Sequence, residues 1–107
     1  MRRGDVWWAA LEPTVGGEIG LTRPAVIISN DRSNAQNNRV QVLPVTSQTR
    51  RVYPSEALVT VDGGLSKAVA DQIRTLDKRR LLAFMGRISD TEMRAVEDAV
   101  RLQLGLD

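Results

Sequence analysis

Cysteine and histidine are both absent from this 107-residue chain. Without thiols it has no disulfides, no thiolate zinc site and no cysteine nucleophile. Without imidazole it lacks the commonest general base, the commonest metal ligand and the usual catalytic triads. Any chemistry must run on Arg, Lys, Asp, Glu, Ser, Thr or Tyr. Aromatics are scarce, with two Trp, one Tyr and one Phe. Lysine is scarce too, two against thirteen Arg, at a net charge of only +2. Guanidinium forks suit phosphate, but a GC-rich coding bias gives the same excess, so the charge permits a nucleic-acid partner without requiring one. Apolar runs such as Ala25–Ile28 and Leu81–Met85 are far too short to span a bilayer. No apolar h-region follows Met1-Arg2-Arg3-Gly4-Asp5, so no signal peptide is expected. The expectation is a cytoplasmic protein with no membrane partner, folded as a single domain over residues 1–107.

What is present reads as short strands. Val6–Leu11 is a strand ended by Glu12-Pro13; neighbours alternate faces, so one of Trp7 and Trp8 belongs in the core. Pro24 suits a strand entrance, and Ala25–Ile28 reads as fully buried. Ser29-Asn30-Asp31 ends it, and Arg32–Asn38 reads as an exposed loop. Arg39–Val45 alternates at Val40 and Val42 and then breaks, which predicts a bulge near Pro44. Ser55–Val61, an alternating Lys67–Ile73 and Leu81–Ile88 add strands, with turns at Asp62-Gly63-Gly64 and at Lys78-Arg79-Arg80. The C-terminus is the clearest signal. Ser89 to Glu92 fits a capping box, Met93, Val96, Val100 and Leu104 recur at helical spacing, and Gly105 stands at the C-cap. The pattern predicts a mainly β fold, a small barrel or sandwich of about six strands with one amphipathic helix, Asp90–Leu104, packed on it.

Chemistry is expected at Gly16–Pro24. Three glycines in five residues let backbone approach a ligand, and Arg23 stands where loop meets strand. Asp5, Glu18, Asp31, Asp62 and Asp71 show no ligand-like spacing, so neither a metal nor another cofactor is expected. Ser66 and Lys67 cannot pair, because adjacent strand residues face opposite sides. Glu18, Arg23, Thr46 with Ser47, and Gln72 with Arg74 remain. Arg23 begins one strand and Thr46 ends another, and those ends coincide if the strands are antiparallel neighbours. A guanidinium beside a hydroxyl would cradle a phosphate oxygen. The alternative is structural: a Glu18–Arg23 ion pair stiffening the loop, with Thr46 and Gln72 satisfying backbone groups.

Several motifs follow one another in a known order. Arg3-Gly4-Asp5-Val6-Trp7, Leu11-x-Pro13, Gly16-x-Glu18, Arg23-Pro24, Ser29-Asn30-Asp31, Thr46, Asp71–Asp77 and the helix after Ser89 span essentially the whole chain. In this series the chain resembles the MazF/PemK-type toxins of bacterial type II toxin–antitoxin pairs. The resemblance implies an SH3-like β-barrel with a C-terminal helix, a homodimer, and a metal-independent, sequence-specific endoribonuclease acting on single-stranded RNA. Messenger RNA is the first substrate class it suggests, with transfer or ribosomal RNA beside it. Attack by the ribose 2′-OH would leave a 2′,3′-cyclic phosphate and a 5′-OH. Arg23 and Thr46 would be the catalytic pair, with Glu18 in the mobile loop as the group able to accept a proton. Gly16, Gly17, Ser29, Asn30, Ser47, Gln48, Gln72 and Arg74 would contact RNA. The partner implied is an antitoxin whose disordered acidic tail occupies the RNA groove.

Two other classes share the fold. A CcdB-like gyrase poison binds its target through a Trp-bearing helix end, which Leu104-Gly105-Leu106-Asp107 lacks. A non-catalytic SH3-like interaction module would leave Arg23 and Thr46 on separate faces.

Overall fold

The computed structural model describes residues 1–106. Its strands are β1 (Asp5–Ala10), β2 (Thr22–Ile27), β3 (Arg39–Thr46), β4 (Glu56–Val61), β5 (Gly64–Val69), β6 (Arg74–Asp77) and β7 (Leu81–Arg87). Helix α1 (Asp31–Gln36) follows β2, helix α2 (Asp90–Leu104) closes the chain, and Ala70–Gln72 and Lys78–Arg80 are 3-10 turns. The strands form a curled antiparallel sheet, a half-barrel, in the order β4-β5-β3-β2-β1-β7, with β6 also on β3.

Strand β3 explains the curl. Its first half pairs with β6, ending at Val42 opposite Arg74, and its end pairs with β5, starting at Val45 opposite Ala68. Leu43 and Pro44 fall between the two ladders, where a residue without an N–H costs least. The expected bulge is therefore not in this strand: β2 pairs with β3 in continuous register, and the register shifts lie in the β1–β7 ladder. The broken alternation has another cause. Both faces of β3 are buried, Val40 and Val42 in one cluster with Ala9, Leu11, Ala25, Ile27 and Leu76, Leu43 and Val45 in the other with Val6, Val26, Val59, Val96 and Ala99. A strand between two cores has no polar face to alternate with.

Helix α2 lies on the second cluster through Val96 and Ala99. Val96 is fully buried, a contribution of roughly 1.5–3 kcal/mol relative to leaving it in water. The capping box forms as expected: Glu92 N–H donates to Ser89 Oγ at 3.1 Å and Ser89 N–H to Glu92 Oε1 at 2.9 Å. Gly105 takes the left-handed conformation that ends the helix. Among the described residues no helix is long and apolar enough to cross a membrane.

The count of about six strands holds, with Arg74–Asp77, too short and polar to show a pattern, as a seventh on β3. Two further expectations need correction. The alternation expected over Lys67–Ile73 stops at Val69, where the chain turns through Ala70–Gln72. The expected loop Arg32–Asn38 is largely helix α1. Its support is polar: Asn30 caps it by accepting Ser33 N–H at 2.8 Å, and buried Asn34 donates to Ser29 O at 2.8 Å. A helix held by amide hydrogen bonds carries no hydrophobic period to detect. Of the two tryptophans, Trp7 packs against the first cluster while Trp8 is 40% exposed, one inward and one outward as alternation requires.

Candidate active site

Strand register brings Arg23 and Thr46 together. The β2–β3 ladder ends with Ala25 opposite Pro44, and that register carried two residues further brings Arg23 toward Thr46. Both side chains line one cleft of about 440 Å³ with Gly17, Glu18, Ile19, Gly20, Gln48, Glu56, Lys67, Val69, Asp71 and Gln72. The geometry is opposite to that of a module with these residues on separate faces.

The Arg23 Nε–H is buried and has no hydrogen-bond partner. A buried donor left unpaired costs free energy until an acceptor arrives, so it suits an anionic oxygen. Thr46 Oγ1 accepts Gln48 N–H at 3.3 Å, a long bond that leaves its own hydroxyl hydrogen free to donate.

Glu18 lies in the cleft but forms no ion pair with Arg23; its Oε1 accepts Val15 N–H at 2.7 Å. Gln72 reaches the loop with both ends of its amide, accepting Ile19 N–H at 3.0 Å and donating to Gly17 O at 3.3 Å. The structural role weighed for Gln72 is thus realised beside its place in the cleft wall. Glu12 holds the loop's far end by accepting Leu21 N–H at 2.7 Å, and that bond is the main reason its carboxyl lies below the ordinary carboxylate range.

Two depressions adjoin the cleft. One, of about 510 Å³, is lined by Gln48, Arg50, Arg51 and Lys67; the other, of about 590 Å³, by Gly17, Glu18, Asp71, Gln72, Ile73, Arg74 and Thr75. Shared walls make the three a continuous groove, each part large enough for a nucleotide-sized group, with arginines on both sides of Arg23.

Of the residues expected at the site, the structure gathers Arg23, Thr46, Glu18, Gly17, Gln48 and Gln72 in the cleft and Arg74 next to it. Gly16 and Ser47 neighbour lining residues in the chain without lining the cleft themselves. Ser29 and Asn30 are not brought there. They lie past the opposite end of β2, where Ser29 Oγ donates to Asn34 Oδ1 at 2.5 Å and Asn30 caps α1.

The sequence reading missed Lys67, Glu56 and Asp71. Lys67 is 8% exposed and its Nζ lies 2.9 Å from Glu56 Oε1. Its one signal was position: a lysine sharing alternation with Val69 on a strand otherwise apolar toward the core. Among the described residues no three acidic side chains converge as metal ligands would.

Against known proteins, residues 2–104 match the family model described as PemK-like, MazF-like toxin of type II toxin–antitoxin system. The chain is 42% identical to Endoribonuclease MazF9 of Mycobacterium tuberculosis, over 99% of this chain and 98% of the relative. Among solved structures it resembles MazF from Deinococcus radiodurans, with a TM-score of 0.88 and 28% identity over 99% of this chain and 97% of that one. It also resembles an endoribonuclease from a mycobacterial species solved with its cognate antitoxin, with a TM-score of 0.83 and 28% identity over 100% of this chain and 97% of that one. A curled β-sheet with a C-terminal helix, matched over nearly its whole length by this family model, is the toxin half of a toxin–antitoxin pair. This chain belongs to the PemK-like, MazF-like toxin family.

Proposed function

We propose that this toxin is an endoribonuclease that cuts single-stranded RNA in the arginine-flanked groove, with no metal ion taking part. RNA supplies its own nucleophile, which a chain without histidine or cysteine needs. The ribose 2′-oxygen forms a bond to the adjacent phosphorus, the bond from phosphorus to the 5′-oxygen breaks, and a 2′,3′-cyclic phosphate and a 5′-OH result. Arg23 stabilises the charge that builds on the phosphorane and on the departing oxygen. It is not the base, because a guanidinium has no lone pair available to take a proton. The 2′-OH proton goes to Glu18; of the other two carboxylates lining the cleft, Glu56 is paired with Lys67 and Asp71 is not, and the leaving oxygen takes its proton from water. Thr46 donates its hydroxyl to a non-bridging phosphate oxygen.

The observation that carries this reading is the buried, unpartnered Arg23 Nε–H in the same cleft as Thr46. Messenger RNA is the substrate class proposed first. The antitoxin partner places a disordered acidic tail in the same groove, where the arginines that hold phosphates also hold carboxylates. The active unit is a homodimer.

The test is cleavage of single-stranded RNA in excess EDTA, with the new ends mapped. Wild type should cut and leave 5′-hydroxyl ends, and Arg23→Ala should be slower by about 10²–10³, the usual loss of one transition-state donor. Cleavage abolished by EDTA, or undiminished by Arg23→Ala, would overturn the mechanism.

A further inference from the structure

The loop between β3 and β4, residues 47–55, is held from below by a buried ion pair. Lys67 Nζ donates to Arg51 O at 2.7 Å and to Glu56 Oε1 at 2.9 Å. The same Glu56 oxygen accepts Tyr53 N–H at 2.8 Å, and Glu56 N–H donates to Tyr53 O at 2.9 Å. Both partners are about nine-tenths buried. Burying opposite charges costs desolvation that their attraction barely repays, so such a pair is weak evidence for stability. What it achieves here is position: it fixes the backbone at Arg51 and Tyr53.

Tyr53 is the chain's single tyrosine and is 51% exposed. The Arg51 guanidinium carbon and Lys67 Nζ each lie 6.0 Å from its ring centre, and Arg51 Nη1 donates to its phenolic oxygen at 3.2 Å. Lys67 lines both the cleft and the depression beside it, and Arg51 lines that depression, so the ring lies next to two groove-lining cations. An open aromatic ring with a guanidinium and an ammonium alongside, next to a path for a polyanion, is how single-stranded nucleic acid is held: bases stack and phosphates pair.

We propose that Tyr53 is a stacking platform for a nucleobase flanking the scissile phosphate, and that the Lys67–Glu56 pair positions it. The subsite rests on the nuclease reading for its substrate, but its existence can be tested without cleavage.

The probes are fluorescein-labelled 2′-O-methyl oligoadenylate and oligouridylate, which lack the attacking hydroxyl, with binding followed by anisotropy at low salt. Tyr53→Leu should weaken oligoadenylate binding about 5- to 50-fold, the size of one lost stack, and oligouridylate binding less. Tyr53→Phe, which keeps the ring, should bind within about twofold of wild type. Lys67→Met should lose as much as Tyr53→Leu. Glu56→Gln should not, because both contacts use one oxygen that an amide retains. Thermal midpoints monitor the fold; exposed Tyr53 carries the test even if Lys67→Met is unstable. Wild-type affinity in Tyr53→Leu, or no binding of either oligomer by wild type, overturns the subsite. Binding through Tyr53 by a chain that cuts no RNA would keep it and overturn the nuclease reading instead.

Discussion

Glu12 and Gly20 show how much of the loop before β2 hangs on single atoms. The carboxylate oxygen that accepts Leu21 N–H is where a Cβ on Gly20 would fall, 2.1 Å away. Leu21 itself has φ of 62°, a conformation that costs a non-glycine residue roughly 1–3 kcal/mol and persists only when its neighbours hold it. Glu12 is one of those holds. Its carboxyl is lowered in the folded chain, chiefly by the Leu21 N–H. Its contribution is therefore complete above the ordinary carboxylate range and is lost as pH falls through the lowered value. The Leu21 amide protection factor should be flat from pH ~7 to ~5 and fall only in acid below the ordinary carboxylate pKa of ~4.3. Gly20→Ala, by displacing the carboxylate, should remove the protection across that whole range. Hydrogen exchange read by NMR checks both, and a protected Leu21 amide in Gly20→Ala would refute the account.

The same scale separates what could be read from the residues from what could not. Arg23 was legible because a proline and an apolar strand follow it, and its meeting with Thr46 because consecutive antiparallel strands align their ends. Lys67 and Glu56 were not. A buried charge can be recognised only with its partner, and that partnership depends on the β4–β5 register, which places Glu56 opposite Val69 and Leu58 opposite Lys67. Ser29 and Asn30 stand directly after a well-read strand, but at the end of β2 away from the cleft.

Among the elements, α2 was the best predicted, since its cap, period and terminator agree. The structure adds a second duty for its capping box. Strand β4 ends the sheet and offers unpaired backbone donors; Glu92 Oε2 accepts one of them, Thr60 N–H, at 2.6 Å. Burial pushes the Glu92 carboxyl up, but the N–H groups of Ser89 and Thr60 outweigh it and hold the group low. The helix cap and the sheet edge are thus closed by one side chain. Glu92→Ala should cost about 1–2 kcal/mol, at or above the usual loss of a cap, with increased exchange at the Thr60 amide. Glu92→Gln, which keeps an acceptor oxygen, should recover part of this. Urea denaturation with amide exchange reads both quantities, and an unchanged Thr60 amide would mean that Glu92 serves the helix alone. The short β6 was out of reach for the opposite reason: it has only four residues, and its place is set by pairing with β3.

At the scale of the whole molecule the half-barrel leaves β4 and β7 as its two edges. They approach each other across an opening lined by Val61–Gly63 on one side and Met85–Ile88 on the other. Earlier along β7, Leu82 and Phe84 are each 56% exposed, with the Phe84 ring against Trp7 at a centroid distance of 5.8 Å. Natural proteins blunt a sheet edge with charge, proline or a bulge that turns it from solvent. This strand has register shifts against β1 at Met85 and Leu82, but between Leu81 and Gly86 it carries no charged residue and no proline, and its exposed Leu82 and Phe84 form an apolar surface suited to a second copy of the chain. A dimer joined there has a two-fold axis near β7. Sedimentation equilibrium should accordingly give about twice the chain mass of 11.8 kDa. Leu82→Lys should return it to the monomer without lowering the midpoint of unfolding measured at high dilution, because the side chain packs against little within its own chain. A wild-type monomer at high concentration would remove the homodimer from the proposed function. A dimer indifferent to Leu82→Lys would move the interface away from β7, leaving the exposed Leu102 and Leu104 of α2 as the next apolar surface.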